Sequence, residues 1–336
     1  MSALPRQTTN PRVSVIIPNW NGLALLRPCL AALRAQTYAD HEVIVVDNAS
    51  TDGSVEALRA EYPEVRVVAL EANRGYAGGC NAGIDVARGE YLVMTNNDTE
   101  AEPGWLEALV SALDRHPEAG SAAARIMLFD RRDTLHSAGD LFRRDGTPDS
   151  RGVWQRYGPP YDHPRYVFGG CGGAVMFRRT VLAQIGTFEE AFFMYCEDVD
   201  LNWRAQLAGW KCIYVPDAVI YHHLSATGGG PLSSYYVGRN TLWVLARDLP
   251  GEVWRRHRRD IISAQWRIAR EALRAWRGAA ARARLRGQIA GLAGLLRWRR
   301  VRRRIQAGRT VSASYLASIL DPSTHDASNG DAPGAD

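Results

Sequence analysis

Short apolar, β-branched runs recur along the first 125 residues, at 13–18, 42–47, 65–70 and 90–94. Each is apolar at odd and even positions alike, the pattern of a strand covered on both faces. The intervening stretches 23–35, 55–60 and 77–87 suit helices. This alternation predicts an α/β fold: a mostly parallel, Rossmann-like sheet flanked by helices. Open sheets of this kind bind ligands beyond the carboxyl ends of their strands. Every one of the four runs is followed by a polar or glycine-bearing cluster: 18–22, 47–53, 73–75 and 96–98. One site along one sheet edge is therefore expected.

Residues 130–170 mix Arg, Asp, Gly, Pro and Tyr with weak periodicity and predict long loops with short strands. Order returns at 168–178, a glycine-rich turn entering a strand, then at 197–208, a helix opening on three acids. Two short strands are expected at 211–215 and 218–222. Beyond Ser233 the pattern is helical. Ile262, Trp266, Ala269, Leu273 and Trp276 make one stripe, Leu285, Ile289, Leu292 and Leu296 another, with Gly278 and Gly287 as expected breaks. From residue 312 the chain is small, acidic and rich in Pro and Gly, and is expected to be disordered. The organisation expected is a flexible N-terminus (1–11), an α/β domain (12–250), a basic amphipathic helical segment (251–311) and a tail (312–336).

Composition narrows the class. Hydrophobic residues make up 46% and charged residues 23% of 336, which excludes a mostly disordered or fibrous chain. No apolar stretch approaches the roughly 18–20 residues of a membrane span, and the first residues lack the apolar core of a signal peptide. The expected location is the cytoplasm, at the inner face of the cell membrane. Cys29, Cys80, Cys171, Cys196 and Cys212 form no CxxC pair and read as reduced thiols. The net charge of +5 hides an asymmetry, because residues 251–304 hold 17 Arg against Glu252, Asp260 and Glu271. Arg267, Arg270, Arg274 and Arg277 each follow an apolar stripe residue by one position. Such helices suit an anionic membrane surface. Packing on the body or on a second copy in a homo-oligomer is the competing reading, and the membrane surface is the expected partner. No helix-turn-helix or RRM pattern accompanies the charge, so nucleic acid is not an expected partner.

The segments PNWNG (18–22), VDNASTDGS (46–54), NRGYAGGCNAGI (73–84), NNDT (96–99) and FMYCEDVDLNWR (193–204) occur in an instructive order and spacing. Over roughly residues 12–245 the chain resembles family 2 glycosyltransferases, inverting enzymes of the GT-A fold. Within them it is most similar to bacterial rhamnosyltransferases that build lipid-linked polysaccharides. The fingerprint of a dinucleotide-binding fold, GxGxxG after the first strand, is missing. A nucleotidyltransferase would want a basic glycine-rich loop there, which 18–26 does not supply.

The resemblance assigns expected roles. Pro18, Asn19, Asn21 and Asp47 fall on the nucleotide side, Asp47 as the acceptor of a pyrimidine imide N–H; otherwise Asp47 stabilises a turn. Asn73, Arg74, Gly79 and Asn81 surround a helix start suited to a diphosphate, or to close packing. Asn97 and Asp98 close the fourth strand, where the family usually carries Asp-x-Asp; here Asn96 replaces the first acid. Asp98 and His222, with His223 as the alternative, are expected to bind a divalent cation, Mg²⁺ or Mn²⁺. Asp198 is the expected general base, beside Glu197, although acids are favoured in any first helical turn. Gly170, Gly172 and Gly173 would admit the acceptor or form a tight turn, and Trp154, Tyr157, Tyr161 and Tyr166 could stack on sugars.

The implied activity is transfer of a sugar from a nucleoside diphosphate donor to a hydroxyl of a lipid-linked saccharide. dTDP-L-rhamnose is the expected donor, with UDP-galactofuranose, UDP-GlcNAc or UDP-glucose as alternatives on the same scaffold. A non-catalytic, membrane-associated nucleotide-binding protein is the competing class.

Overall fold

A computed structural model describes residues 10–223 and 230–322. The N-terminal half alternates as its pattern predicts: β1 (Val13–Asn19), α1 (Leu23–Arg34), β2 (His41–Asp47), α2 (Ser54–Glu61), β3 (Arg66–Ala69), α3 (Gly75–Val86) and β4 (Tyr91–Thr95). Then follow β5 (Thr99–Ala101), α4 (Trp105–Arg115), β6 (Ala119–Leu128), β7 (Leu135–Ser137), β8 (Asp140–Phe142), β9 (Pro148–Ser150), β10 (Arg165–Val167) and β11 (Ala174–Arg178). After α5 (Arg179–Ile185) and α6 (Glu197–Leu207) comes β12 (Lys211–His222), one long strand where two short ones were expected. Its pairing with β6 shifts register between Val215 and Val219, and that irregularity absorbs Pro216.

Among the described residues the main sheet runs β10-β12-β6-β11-β4-β1-β2-β3. β1 is parallel to β2 and β4, β2 to β3, and β12 to β6, while β11 runs antiparallel between β4 and β6. Strand β1 shows why both faces must be apolar. Val13, Val15 and Ile17 face α1 and α4, with Leu26, Leu30, Trp105 and Leu109; Ile16 faces α3 and α5, with Ala77, Cys80 and Leu182. Burial of each such side chain stabilises by about 1.5–3 kcal/mol. The carboxyl ends of β1, β2 and β4 lie together, so the polar clusters at 18–22, 47–53 and 96–98 converge.

The C-terminal third is helical: α7 (Gly230–Arg247), α8 (Gly251–Arg274), α9 (Ala279–Ala293), α10 (Arg299–Ala307) and α11 (Ala313–Ile319). A third core, including Phe192, Trp203, Trp243, Trp298 and Leu316, joins these helices to α6. Gly278 does cap the start of α9, but Gly287 lies inside it and breaks nothing. A Cβ on Gly287 would collide with the Tyr235 carbonyl oxygen, so this glycine brings the backbones of α7 and α9 together. The expectation of disorder from residue 312 is also corrected. Leu316 is fully buried, and Asp321 exchanges backbone hydrogen bonds with Phe142 and Arg144. Large apolar residues on α11 outweigh the acidic composition around them. Residues 1–9 of the expected flexible N-terminus and 323–336 of the tail lie outside the described residues.

Candidate active site

A cleft of about 650 Å³ opens at the carboxyl edge of the sheet. One wall carries Pro18, Asn19, Asn48 and Asn73; the floor carries Asn96, Asn97, Asp98 and His222; the far wall carries Gly172, Gly173, Glu197 and Asp198. Sequence positions 18 to 222 therefore meet in one cavity.

The nucleotide-side expectations need revision. Asp47 does not line the cleft: it is 1% exposed, accepting from the Ser50 backbone N–H (2.8 Å) and from Asn19 Nδ2 (3.2 Å). Asn19 in turn accepts from Asn97 Nδ2 at 2.7 Å, so Asp47 acts one step behind the surface. The neighbouring Asn48, which the sequence did not single out, faces the cavity instead. Asn21, at φ 49°, accepts from the Thr51 backbone N–H and stays outside the lining. Arg74 is turned away to Glu190 (2.6 Å), and Asn81 is bound to Phe188 and Glu190. Gly79 packs α3 close to Pro18 and Asn48, and Gly170 packs against Val175. Trp154, Tyr157, Tyr161 and Tyr166 are also absent from the lining.

The start of α3 does not offer its amides freely to a diphosphate. Arg74 N–H is taken by Asn48 Oδ1, Gly75 N–H by Asn73 Oδ1 and Ala77 N–H by the Phe193 carbonyl. The last of these bonds holds the loop before α6. That loop is strained: Phe193, Tyr195 and Cys196 sit at φ of 67°, 63° and 63°, a region unfavourable for residues with a Cβ. Asn240 of α7, completely buried, holds it from the other side by donating to the carbonyls of Phe192 (3.0 Å), Met194 (2.9 Å) and Tyr195 (2.6 Å). No motif marked Asn240, because its partners are main-chain atoms some 45 residues away. Gly75 has φ 71°, and a Cβ there would collide with the Phe193 oxygen. Gly75→Ala is expected to cost about 2 kcal/mol of stability, read as a lower denaturation midpoint, and to depress turnover by displacing the loop.

Beyond the loop, α6 presents its acids in different directions. Asp200 is fully buried in ion pairs with Arg204 (2.7 Å) and Arg247 (2.5 Å), which anchor the helix. Asp198 lines the cleft and accepts from the backbone N–H groups of Gly172 (2.8 Å) and Val199 (2.8 Å). Burial raises its pKa above the usual carboxylate range, and those two donors oppose the rise. Glu197 and Asp140 are pushed up as well, first by burial and then by the charge of Asp198. Burial also raises the thiols of Cys80, Cys171 and Cys196, which keeps them protonated and poor nucleophiles.

On the floor, His222 Nε2 stands 3.1 Å from Asp98 Oδ1 and 3.4 Å from Asn96 Nδ2. Its other nitrogen lies 3.0 Å from Nδ1 of His136, whose pKa burial and His222 push down to about 3. His223 points away, to Glu100 (2.9 Å) and the face of Phe129. The choice between the two histidines follows from strand alternation, since β12 continues through residue 222. No group of three or more His, Cys, Asp or Glu suited to a metal occurs among the described residues. The donor set of one carboxylate and one imidazole fits a divalent cation that shares its remaining ligands with a bound polyphosphate.

This fold and cleft define a GT-A enzyme, and comparison with known proteins agrees. The model of glycosyl transferase family 2 matches residues 14–186, and the chain belongs to that family. It is 31% identical over 253 residues to the N-acetylglucosaminyl-diphospho-decaprenol L-rhamnosyltransferase of Mycobacterium tuberculosis, covering 67% of this chain and 81% of that one. It is also 31% identical to the O-antigen biosynthesis protein RfbC of Myxococcus xanthus, covering 65% of this chain but only 18% of that protein. Among solved structures, the mannosyltransferase PcManGT of Pyrobaculum calidifontis with GDP-Man and Mn²⁺ superposes with a TM-score of 0.53 at 18% identity, over 94% of this chain and 88% of that one. GalNAc-T7 with UDP, GalNAc and Mn²⁺ gives 0.59 at 15% identity over 76% of this chain and about half (51%) of that one. The protein is a glycosyltransferase with the GT-A fold.

Proposed function

We propose that this glycosyltransferase moves L-rhamnose from dTDP-L-rhamnose to a hydroxyl of a lipid-linked saccharide, with inversion at the anomeric carbon. The observation that carries the mechanism is the placement of Asp198, held by the Gly172 and Val199 backbone N–H groups, in the same cleft as the Asp98–His222 pair. The choice of sugar and acceptor is supported by the named activity of the mycobacterial relative.

In this reading the nucleotide lies along Pro18, Asn19, Asn48 and Asn73, and the diphosphate lies over Asn97 and Asp98. Asp98 and His222 would hold a divalent cation, whose positive charge would favour departure of the diphosphate. The acceptor enters past Gly172, where the absence of a side chain leaves the Asp198 carboxylate uncovered; a Cβ there would stand 3.3 Å from its Oδ2. Asp198 takes the hydroxyl proton as the acceptor oxygen attacks the anomeric carbon from the face opposite the leaving group. The new C–O bond forms while the bond to the diphosphate breaks, and the nucleoside diphosphate leaves with the electron pair. The protonated cysteines around the cleft give no covalent alternative.

The test is nucleotide release and product analysis with dTDP-L-rhamnose, UDP-galactofuranose, UDP-GlcNAc and UDP-glucose, each with Mn²⁺ or Mg²⁺ and a lipid-linked saccharide. Preference for dTDP-L-rhamnose with an inverted linkage is expected. Preference for a UDP-sugar would overturn the donor assignment; a retained configuration would overturn the mechanism.

The base also sets a pH dependence. Asp198 works only when deprotonated, so the rate falls as pH falls through its pKa. Because burial raises that pKa, the acid limb of the kcat profile is expected at a pH above the ordinary aspartate value of about 3.9. A limb at or below that value would contradict the assignment.

A further inference from the structure

The apolar stripes of the C-terminal helices point outward. Ile262 (47% exposed), Trp266 (71%) and Trp276 (57%) on and just after α8, with Ile289 (66%) and Leu292 (58%) on α9, lie on the surface, while the buried residues of α8 include Ile261, Ala264 and Ala272. Between α7, α8 and α9 lies an apolar groove of about 740 Å³, bordered by Ile262, Trp266, Ile289 and Leu292. A soluble surface seldom leaves so many large apolar groups contiguous without a partner. Exposed arginines stand around them, among them Arg270 and Arg274 on α8 and Arg277 just beyond it.

We infer that this face of α8 and α9 docks on an anionic lipid bilayer, tryptophans and aliphatic side chains entering the interface and arginines meeting the headgroups. Charge selects the occupant. Residues 251–304 hold 17 Arg against three acids, so a symmetric pair of copies would press two strongly cationic rims together. Residues 323–336 carry three Asp but no large apolar side chain, so they cannot fill the groove. A bilayer bearing phosphate headgroups satisfies both demands, apolar and electrostatic. No helix among the described residues is long and apolar enough to cross a membrane, which makes this contact one of lying on the surface.

The position of the groove gives the contact a purpose. Helix α7 contributes Tyr236 to the catalytic cleft and Leu242 to the groove, six residues apart and so about 9 Å along the axis. A bilayer on the groove therefore sits within reach of the cleft, where the saccharide of a lipid-linked acceptor must arrive. That purpose rests on the proposed function; the docking surface itself does not.

The experiment is flotation of the full chain with vesicles of phosphatidylcholine containing about one third phosphatidylglycerol, and with phosphatidylcholine alone. The wild type is expected to float with the anionic vesicles and to be released by high salt. Trp266→Glu and Leu292→Glu, both exposed and away from the cleft, are expected to weaken flotation about tenfold or more while nucleotide release from the donor with a water-soluble acceptor is unchanged. A chain that ignores anionic vesicles, or variants that float as well as wild type, would overturn the inference. So would a dimer, seen by light scattering, that Trp266→Glu dissociates in the absence of vesicle binding; the groove would then belong to a second copy. Flotation without nucleotide release from any donor would support the docking surface and refute the catalytic reading, which separates the two.

Discussion

Asp198→Asn is expected to lower sugar transfer by about a thousandfold or more while the donor KM stays within a few-fold of wild type. Removing a positioned general base typically costs about 10²–10⁴ in rate, and Asp198 has no evident substitute. Glu197 is buried, and burial and the charge of Asp198 itself raise its pKa; its Oε2 has no hydrogen-bond partner among the described residues. Burial and the charge of Asp198 likewise raise the pKa of Asp140. The amide introduced at position 198 would still accept from one of the two backbone donors at Gly172 and Val199, so the fold around it should survive. Glu197→Gln is the informative control. Burial and the charge of Asp198 both disfavour the ionised form that the amide removes, so transfer should change only a few-fold. Steady-state kinetics of both variants, with donor affinity measured separately, would decide. Loss of donor binding in Asp198→Asn with turnover retained, or a larger defect in Glu197→Gln, would assign the base elsewhere.

Asn240→Leu is expected to cost about 2–4 kcal/mol of stability and about a hundredfold in kcat. The leucine fills nearly the same volume but donates nothing, so the Met194 and Tyr195 carbonyls lose their side-chain donor, while the Phe192 carbonyl keeps only Arg239. Those carbonyls belong to a loop holding three residues at positive φ, a conformation that persists only while its surroundings enforce it. Cys196 ends this loop and caps α6, so relaxation would move Asp198, two residues later. Chemical denaturation combined with kinetics separates the possibilities. A positioning role predicts a fall in kcat with donor KM nearly unchanged at temperatures where the variant is fully folded. If the folded variant turned over normally, Asn240 would matter to stability alone.

These two variants mark the division between what patterns along the chain reveal and what they conceal. Asp198 was legible because it sits in a run of acids opening a helix, within a motif of recognisable spacing. His222 was legible as one of two, and strand alternation in β12 turned it to Asp98 and sent His223 to Glu100. Asp47 misled for a related reason. Both residues of the Asp47–Asn48 pair are polar and end a strand, yet only one can face the cavity. The inward one was decided by Asn19 and Ser50, which supply the donors a buried carboxylate needs. At the diphosphate cradle expected at 73–81, side chains and a carbonyl from residues 48, 73 and 193 occupy the Arg74, Gly75 and Ala77 amides, which no pattern along the chain shows.

By itself, the order of apolar runs determined an α/β sheet with a ligand edge, because strands buried on both faces must be apolar at every position and helices at every third or fourth. The same rule located the amphipathic stripes at the C-terminus. It could not say which side those stripes would turn. Only the tertiary structure decided that α8 shows Trp266 to solvent, that α9 crosses α7 closely at Gly287, and that Leu316 secures a segment of acidic composition. Periodicity records that a face is apolar, whereas what covers that face depends on contacts between residues far apart in the chain.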